Sequence, residues 1–141
     1  MPYAYHIAEE YSVVIIRPFG RFDETEFMDA LRVVYGHPRR TSEFTNVWDT
    51  RSIEELTMDT PVISMYKSFL QKNADGVTEG RVAIIASRST IRLFSSMLKG
   101  INKQRVRQQV RLVQTPEAAA DWLEIPKEVL SDVPDEEWTR P

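Results

Sequence analysis

The chain has no cysteine, which excludes disulfides and thiolate metal sites and suits a reducing cytoplasm. Of its two histidines, His6 has one acid at i+4, Glu10, on a stretch read as strand and link rather than helix, and His37 has none, so no metal motif is present and no metal is expected. Glycine is also scarce, at five residues. Neither a Gly-x-Gly-x-x-Gly pattern nor a phosphate-binding Walker loop occurs, so no nucleotide cofactor is expected. No apolar run approaches the roughly 18 residues of a membrane span. The first residues, Met-Pro-Tyr-Ala-Tyr-His, lack the basic-then-apolar order of a signal peptide. The expectation is a soluble, cytoplasmic protein.

What remains is ordinary globular material: 141 residues, 42% apolar and 28% charged, with a net charge of −3. That length is one domain with a core of its own. The apolar run Val82-Ala83-Ile84-Ile85-Ala86 lacks period-2 alternation and reads as a central strand covered on both faces. Ser87-Arg88-Ser89-Thr90 supplies N-cap candidates for a following helix, whose apolar stripe is Ile91, Phe94, Leu98 and Ile101.

Residues 3–7 and 11–18 read as two strands, and the short link between them permits only antiparallel pairing. Asp23-x-x-Glu26 is a capping box for a helix that buries Phe27, Ala30, Leu31 and Val34. Asn46-Val47-Trp48-Asp49 is a short strand, and residues 50–58 are mixed in character. A helix capped by Asp59 or Thr60 follows, with Pro61 in its first turn. Residues 109–114 form the last strand, and Thr115-Pro116-Glu117 opens a fourth helix that buries Ala118, Ala119, Trp122 and Leu123. The order β-β-α-β-α-β-α-β-α predicts an α/β fold: a five-stranded, mostly parallel mixed sheet with an antiparallel first strand and four helices. Residues 1–125 form this domain. Residues 126–141 are an acidic C-terminal tail with apolar side chains enough to dock on the domain or on a neighbouring subunit.

Charge is uneven along the chain. Residues 81–111 hold eight basic side chains and no acid, while residues 112–141 hold eight acids against Lys127 and Arg140. The expectation is that the acidic tail lies across the basic unit, in this chain or a neighbour. Arg105 and Arg107 lack interleaved aromatics, so nucleic acid is not an expected partner.

In parallel α/β sheets, ligands gather at the carboxyl ends of the strands. Asp23, Asp49, Arg51, Arg88 and Ser89 are the polar side chains that converge there, and they form the candidate ligand site. An enzyme could use Asp49 as a base and Arg51 or Arg88 as an anion clamp. A simpler reading needs no substrate: Asp23 and Ser87 or Ser89 cap helices, Asp49 satisfies loop amides, and the arginines are solvated. Neither histidine is placed to activate a serine, so no catalytic residue is expected.

Three segments carry a family resemblance: Val47-Trp48-Asp49-Thr50-Arg51, the strand from Gly80 to Ser87, and Thr115-Pro116-Glu117-Ala118-Ala119-Ala120-Asp121-Trp122-Leu123. In order and spacing they resemble the SpoIIAA-like branch of the STAS superfamily, the domain shared by sulphate transporters and anti-sigma-factor antagonists. The resemblance covers about residues 3–125. It implies a mixed β-α sheet and a non-enzymatic regulatory module that acts through protein–protein contact. It also implies a phosphoacceptor at the start of the second helix, a position occupied here by Thr60. Pro61, next in sequence, removes one amide donor a phosphate there could use. Self-association, as a homodimer, is a further expectation. The alternative is a small-molecule or lipid-binding protein, or a weak enzyme, using the strand-end crevice.

Overall fold

The computed structural model describes residues 2–41, 44–57, 65–66, 68–69, 72, 81–88, 90–96 and 109–141. Six strands run β1 (Tyr3–Ala8), β2 (Val13–Asp23), β3 (Thr45–Asp49), β4 (Ser52–Thr57), β5 (Arg81–Ile85) and β6 (Gln109–Val113). Labelled helices are α1 (Glu24–Tyr35), α2 (Pro116–Leu123) and the single turn α3 (Glu128–Ser131). Residues 91–96 are helical, as are residues 65, 66, 68, 69 and 72. The proposed caps Asp59, Thr60 and Ser89 lie outside the described residues.

The sheet order is β1-β2-β3-β5-β6, with β4 paired to β2 off this path. Among the described strands, β1 and β2 pair antiparallel and the other strand pairs are parallel. This is the mixed α/β sheet expected from the element order. The run from Val82 is an interior strand, flanked by β3 and β6, although β3 rather than β5 is the middle strand.

One difference is the sixth strand. β2 does not stop at Pro18 but continues to Asp23, and β4 pairs with this extension from Phe19↔Ser52 to Asp23↔Thr57. The register slips between Gly20 and Arg21, so Ile53 and Leu56 both reach the core while Glu54 and Glu55 between them are exposed. A three-residue apolar spacing in a strand defeats any period-2 reading. The extra residue is Glu54 on β4, and beside the slip Gly20 lies in the left-handed region at φ +65°, where a side chain would be strained.

Alternating side chains of the sheet build two cores. Tyr3, Tyr5, Val14, Ile16, Trp48 and Val82 face α1, Tyr66 and Phe94 on one side. Ala4, Val13, Ile15, Val47, Ala83 and Ile85 face α2, Leu130 and Trp138 on the other. The acidic tail belongs to this second layer but not where its charge pointed. It passes to the β1 edge, where Tyr5 and Thr139 exchange two backbone hydrogen bonds at 3.0 and 2.8 Å. Of the basic stretch, Arg81 and Arg111 both stand over the Trp122 ring, and Arg81 Nη1 donates to the Trp122 carbonyl; Lys99, Lys103, Arg105 and Arg107 lie outside the described residues. Steric fit of Trp138 and Leu130 outweighs the screened attraction of solvated charges.

Asp23 caps α1, accepting a hydrogen bond from the Glu26 amide at 3.0 Å. Glu26 is the costly member of this capping box, because its Oε2 is buried without a hydrogen-bond partner. Burial, and then the Asp23 carboxylate, raise its pKa above the usual carboxyl value. The folded chain therefore holds this proton more tightly than the unfolded chain. The penalty is absent in acid, where both states are protonated, and develops as pH rises through the carboxyl range to the raised folded-state value. Glu26→Gln is expected to stabilise the protein by about 1 kcal/mol at pH 7. The gain should vanish towards pH 3.5, roughly below both titrations, as read from urea midpoints across pH.

Candidate functional site

The carboxyl end of β3 is a tight corner. Thr50, buried, donates from both its amide (2.9 Å) and its Oγ1 (2.7 Å) to the Ile85 carbonyl, fastening the β3–β4 junction to the end of β5. The Ile53 amide returns to the Thr50 carbonyl at 3.2 Å. Asp49 therefore leaves the strand pointing towards the second core layer while only 3% exposed.

That carboxylate is shared by two guanidinium groups. Arg51 grips it in a fork, Nε to Oδ1 at 2.9 Å and Nη2 to Oδ2 at 2.8 Å, and its amide also faces Oδ1 at 3.3 Å. Arg17 Nε lies 3.6 Å from Oδ2. The hydrogen bonds to Asp49 raise the Arg51 pKa, with Asp49 and Glu117 at the start of α2 adding to the negative field. Arg17 in turn stacks over Trp138, 4.3 Å from the ring centroid. Asp49 thus ties three parts of the chain together: β2, the β3–β4 corner and, through Arg17, the tail. Both oxygens are engaged by Arg51 and the carboxylate is buried between two cations, so the geometry makes it a structural tie rather than a free base.

The residues expected at one crevice are only partly brought together. Asp49 and Arg51 pair. Asp23 sits six residues beyond Arg17 along β2, roughly 20 Å away at the rise of an extended strand, where it caps α1. Arg88 is exposed in the turn after β5. Ser87 and Thr90 cap the helix at 91–96, the Ser87 amide meeting Thr90 Oγ1 at 3.1 Å and the Ile91 amide meeting the Ser87 carbonyl at 3.0 Å. Thr115 caps α2 through Ala118 N at 3.1 Å. Arg17 and Trp138 are members the sequence reading missed. A cation directly after Val13-Val14-Ile15-Ile16, at the end of an interior strand, was a signal that could have found Arg17.

Past this corner, the β2–β4 extension presents one face to the core and one to solvent. Ile53 and the pair Phe22 with Leu56 turn inward; Phe19 with Ser52 and Arg21 with Glu55 turn outward. Phe19 is 36% exposed, the Arg21–Glu55 ion pair beside it closes at 2.9 Å, and Arg17 precedes it on the same face.

Among the described residues, no group of three His, Asp or Glu side chains is placed to hold a metal ion, and no helix is long and apolar enough to cross a membrane. No family model matches the chain, and no curated protein matches it. Solved structures similar to it include the following two. One is an uncharacterized protein of the DUF3478 family with a SpoIIAA-like fold from Shewanella loihica PV-4, 14% identical, aligned over 79% of this chain and 83% of that one with a TM-score of 0.48. The other is the anti-sigma factor antagonist SpoIIAA in its unphosphorylated form, 17% identical, aligned over 81% of this chain and 91% of that one with a TM-score of 0.44. The fold of the present chain rests on its own strand order and register.

Proposed function

We propose that the chain is a cytoplasmic, non-enzymatic binding module of regulatory type, which docks a protein partner on the outward face of the β2–β4 extension. The observation that carries this reading is Phe19. A large aromatic stands 36% exposed on a paired strand, with Arg17 before it and Arg21 after it on the same face. Aromatic and arginine side chains are the residue types enriched at protein interfaces, and a rigid strand presents them at low entropic cost. The pairing of Asp49 with Arg51 and Arg17 supports the same reading, since it leaves the strand-end corner braced rather than reactive.

Photo-crosslinking tests it. A benzophenone amino acid placed at Phe19 is expected to give one discrete protein adduct in native lysate, and excess unlabelled protein should compete it away. The same probe at Glu128, exposed on α3, should give none. Adducts at Phe19 that do not compete, or that match those at Glu128, would reject the surface. Light scattering of the purified protein reads self-association in the same samples. Phe19→Asp is expected to remove the adduct partner in pull-downs while changing stability by no more than about 0.5 kcal/mol, as for other surface positions.

A further inference from the structure

Arg40 is a partly buried cation without an anion. Its Nη1 donates to Asn46 Oδ1 at 2.6 Å, and its guanidinium carbon lies 4.0 Å from the centroid of the Tyr35 ring. Asn46, buried, passes the contact on through Nδ2 to the Tyr35 hydroxyl at 2.6 Å. All these partners are neutral. Among the described residues no carboxylate lies within ion-pair distance of Arg40. Its Nε is buried with no hydrogen-bond partner. Nη2 also lacks a hydrogen bond among the described residues but is not buried.

A guanidinium cannot escape this cost by losing its proton. Burial lowers its pKa, and the neighbouring Tyr35 and Tyr66 oppose the shift only in part. Leaving a buried charge uncompensated is strongly unfavourable. The two unfilled N–H groups, on Nε and Nη2, form the edge of the fork that binds a carboxylate or phosphate through two parallel hydrogen bonds. Asn46 and Tyr35 meanwhile hold the opposite side of the guanidinium, so the fork has a fixed aim. The arrangement presents two donors along one fixed edge, the geometry an oxyanion accepts.

We propose that the Nε/Nη2 edge of Arg40, oriented by Asn46 and Tyr35, binds the oxyanion of a small phosphate- or carboxylate-bearing ligand. The site lies at the amino ends of the parallel strands, where Asn46 pairs with Val14 and Val82. Phe19 is at the other end of β2, so this site stands or falls independently of the docking surface.

The test is thermal unfolding of the full chain in inorganic phosphate and, separately, in acetate, with ionic strength held constant by chloride. The wild type is expected to show a saturable rise in Tm with one or both anions, and whichever gives it identifies the source chemistry. Arg40→Lys keeps the charge but not the fork and should weaken the apparent affinity at least tenfold. Asn46→Asp places a carboxylate against Nη1, supplies the missing counter-charge from within, and should abolish the saturable rise while raising Tm in chloride alone. A second readout follows the Arg40 Nε–H resonance, assigned by its loss in Arg40→Lys, which should shift with phosphate or acetate along the same curve. A Tm response that is equal in wild type and Asn46→Asp, with an unmoved Nε–H resonance, would overturn the proposal.

Discussion

Trp138→Ala is expected to destabilise the protein by about 3–5 kcal/mol, the cost of emptying a large aromatic site in a packed layer. Trp138 is 8% exposed although it lies three residues from the last residue of the sequence and is preceded by three consecutive acids. It packs with Ala4, Val13, Ile15 and Leu130 in the second core layer and carries Arg17 over its ring. The loss is therefore more than one side chain. Without the ring, Arg17 loses its stacking surface, and the Tyr5–Thr139 backbone pair has little left to hold it. The β1 edge would then present unpaired backbone groups. Chemical denaturation should show a lower midpoint, and hydrogen exchange should accelerate at the Tyr5 amide well before the global transition. Trp138→Phe keeps the apolar filling and should recover more than half of the loss. Equal midpoints for wild type and Trp138→Ala would mean that the tail contributes no packing energy.

Asp49→Ala is the second large effect, expected at about 2–4 kcal/mol, because it strips the shared anion from between two cations. The carboxylate itself is almost wholly buried, while the side chains of Arg17 and Arg51 are 35% and 42% exposed. That partial contact with water brings the cost below that of a fully buried broken pair. Asp49→Asn retains an acceptor for Arg51 and should cost about half as much. A double-mutant cycle between Asp49→Ala and Arg51→Ala should return a coupling of about 1–3 kcal/mol. The cycle with Arg17→Ala should return less, since that contact, at 3.6 Å, is an ion pair too long for a hydrogen bond. Additive single mutants would show that the corner is held by Thr50 and the backbone alone. A larger coupling for Arg17 than for Arg51 would reverse the account of which arm bears the load.

Where the strands and helices lie was legible because apolar side chains follow the period of the element they build. Val13-Val14-Ile15-Ile16 and Val82-Ala83-Ile84-Ile85 lack alternation, as strands with both faces covered must. The Asp23 and Thr115 caps were readable because an N-cap is a local contact, three residues from oxygen to amide. β4 was not readable. The bulge at Glu54 spaces Ile53 and Leu56 three apart, and Pro18 with Gly20 resembles a turn although the strand runs through both. The candidate site was half legible for a similar reason. Asp49 and Arg51 are two residues apart and meet within one corner, whereas Arg17 reaches Asp49 only through the β2–β3 register.

The sequence by itself determined the layered α/β class, the antiparallel first strand and the capping of α1 and α2, because each depends on local periodicity or on links too short to allow another arrangement. Only the tertiary structure decided which edge the acidic tail covers, which cations share Asp49, and that Arg40 is enclosed among neutral groups. Those outcomes depend on side chains far apart in sequence. Charge is long-ranged but screened by solvent, and it names no partner; close packing does, and the slot that accepts Trp138 exists only once β1, β2 and α3 stand side by side.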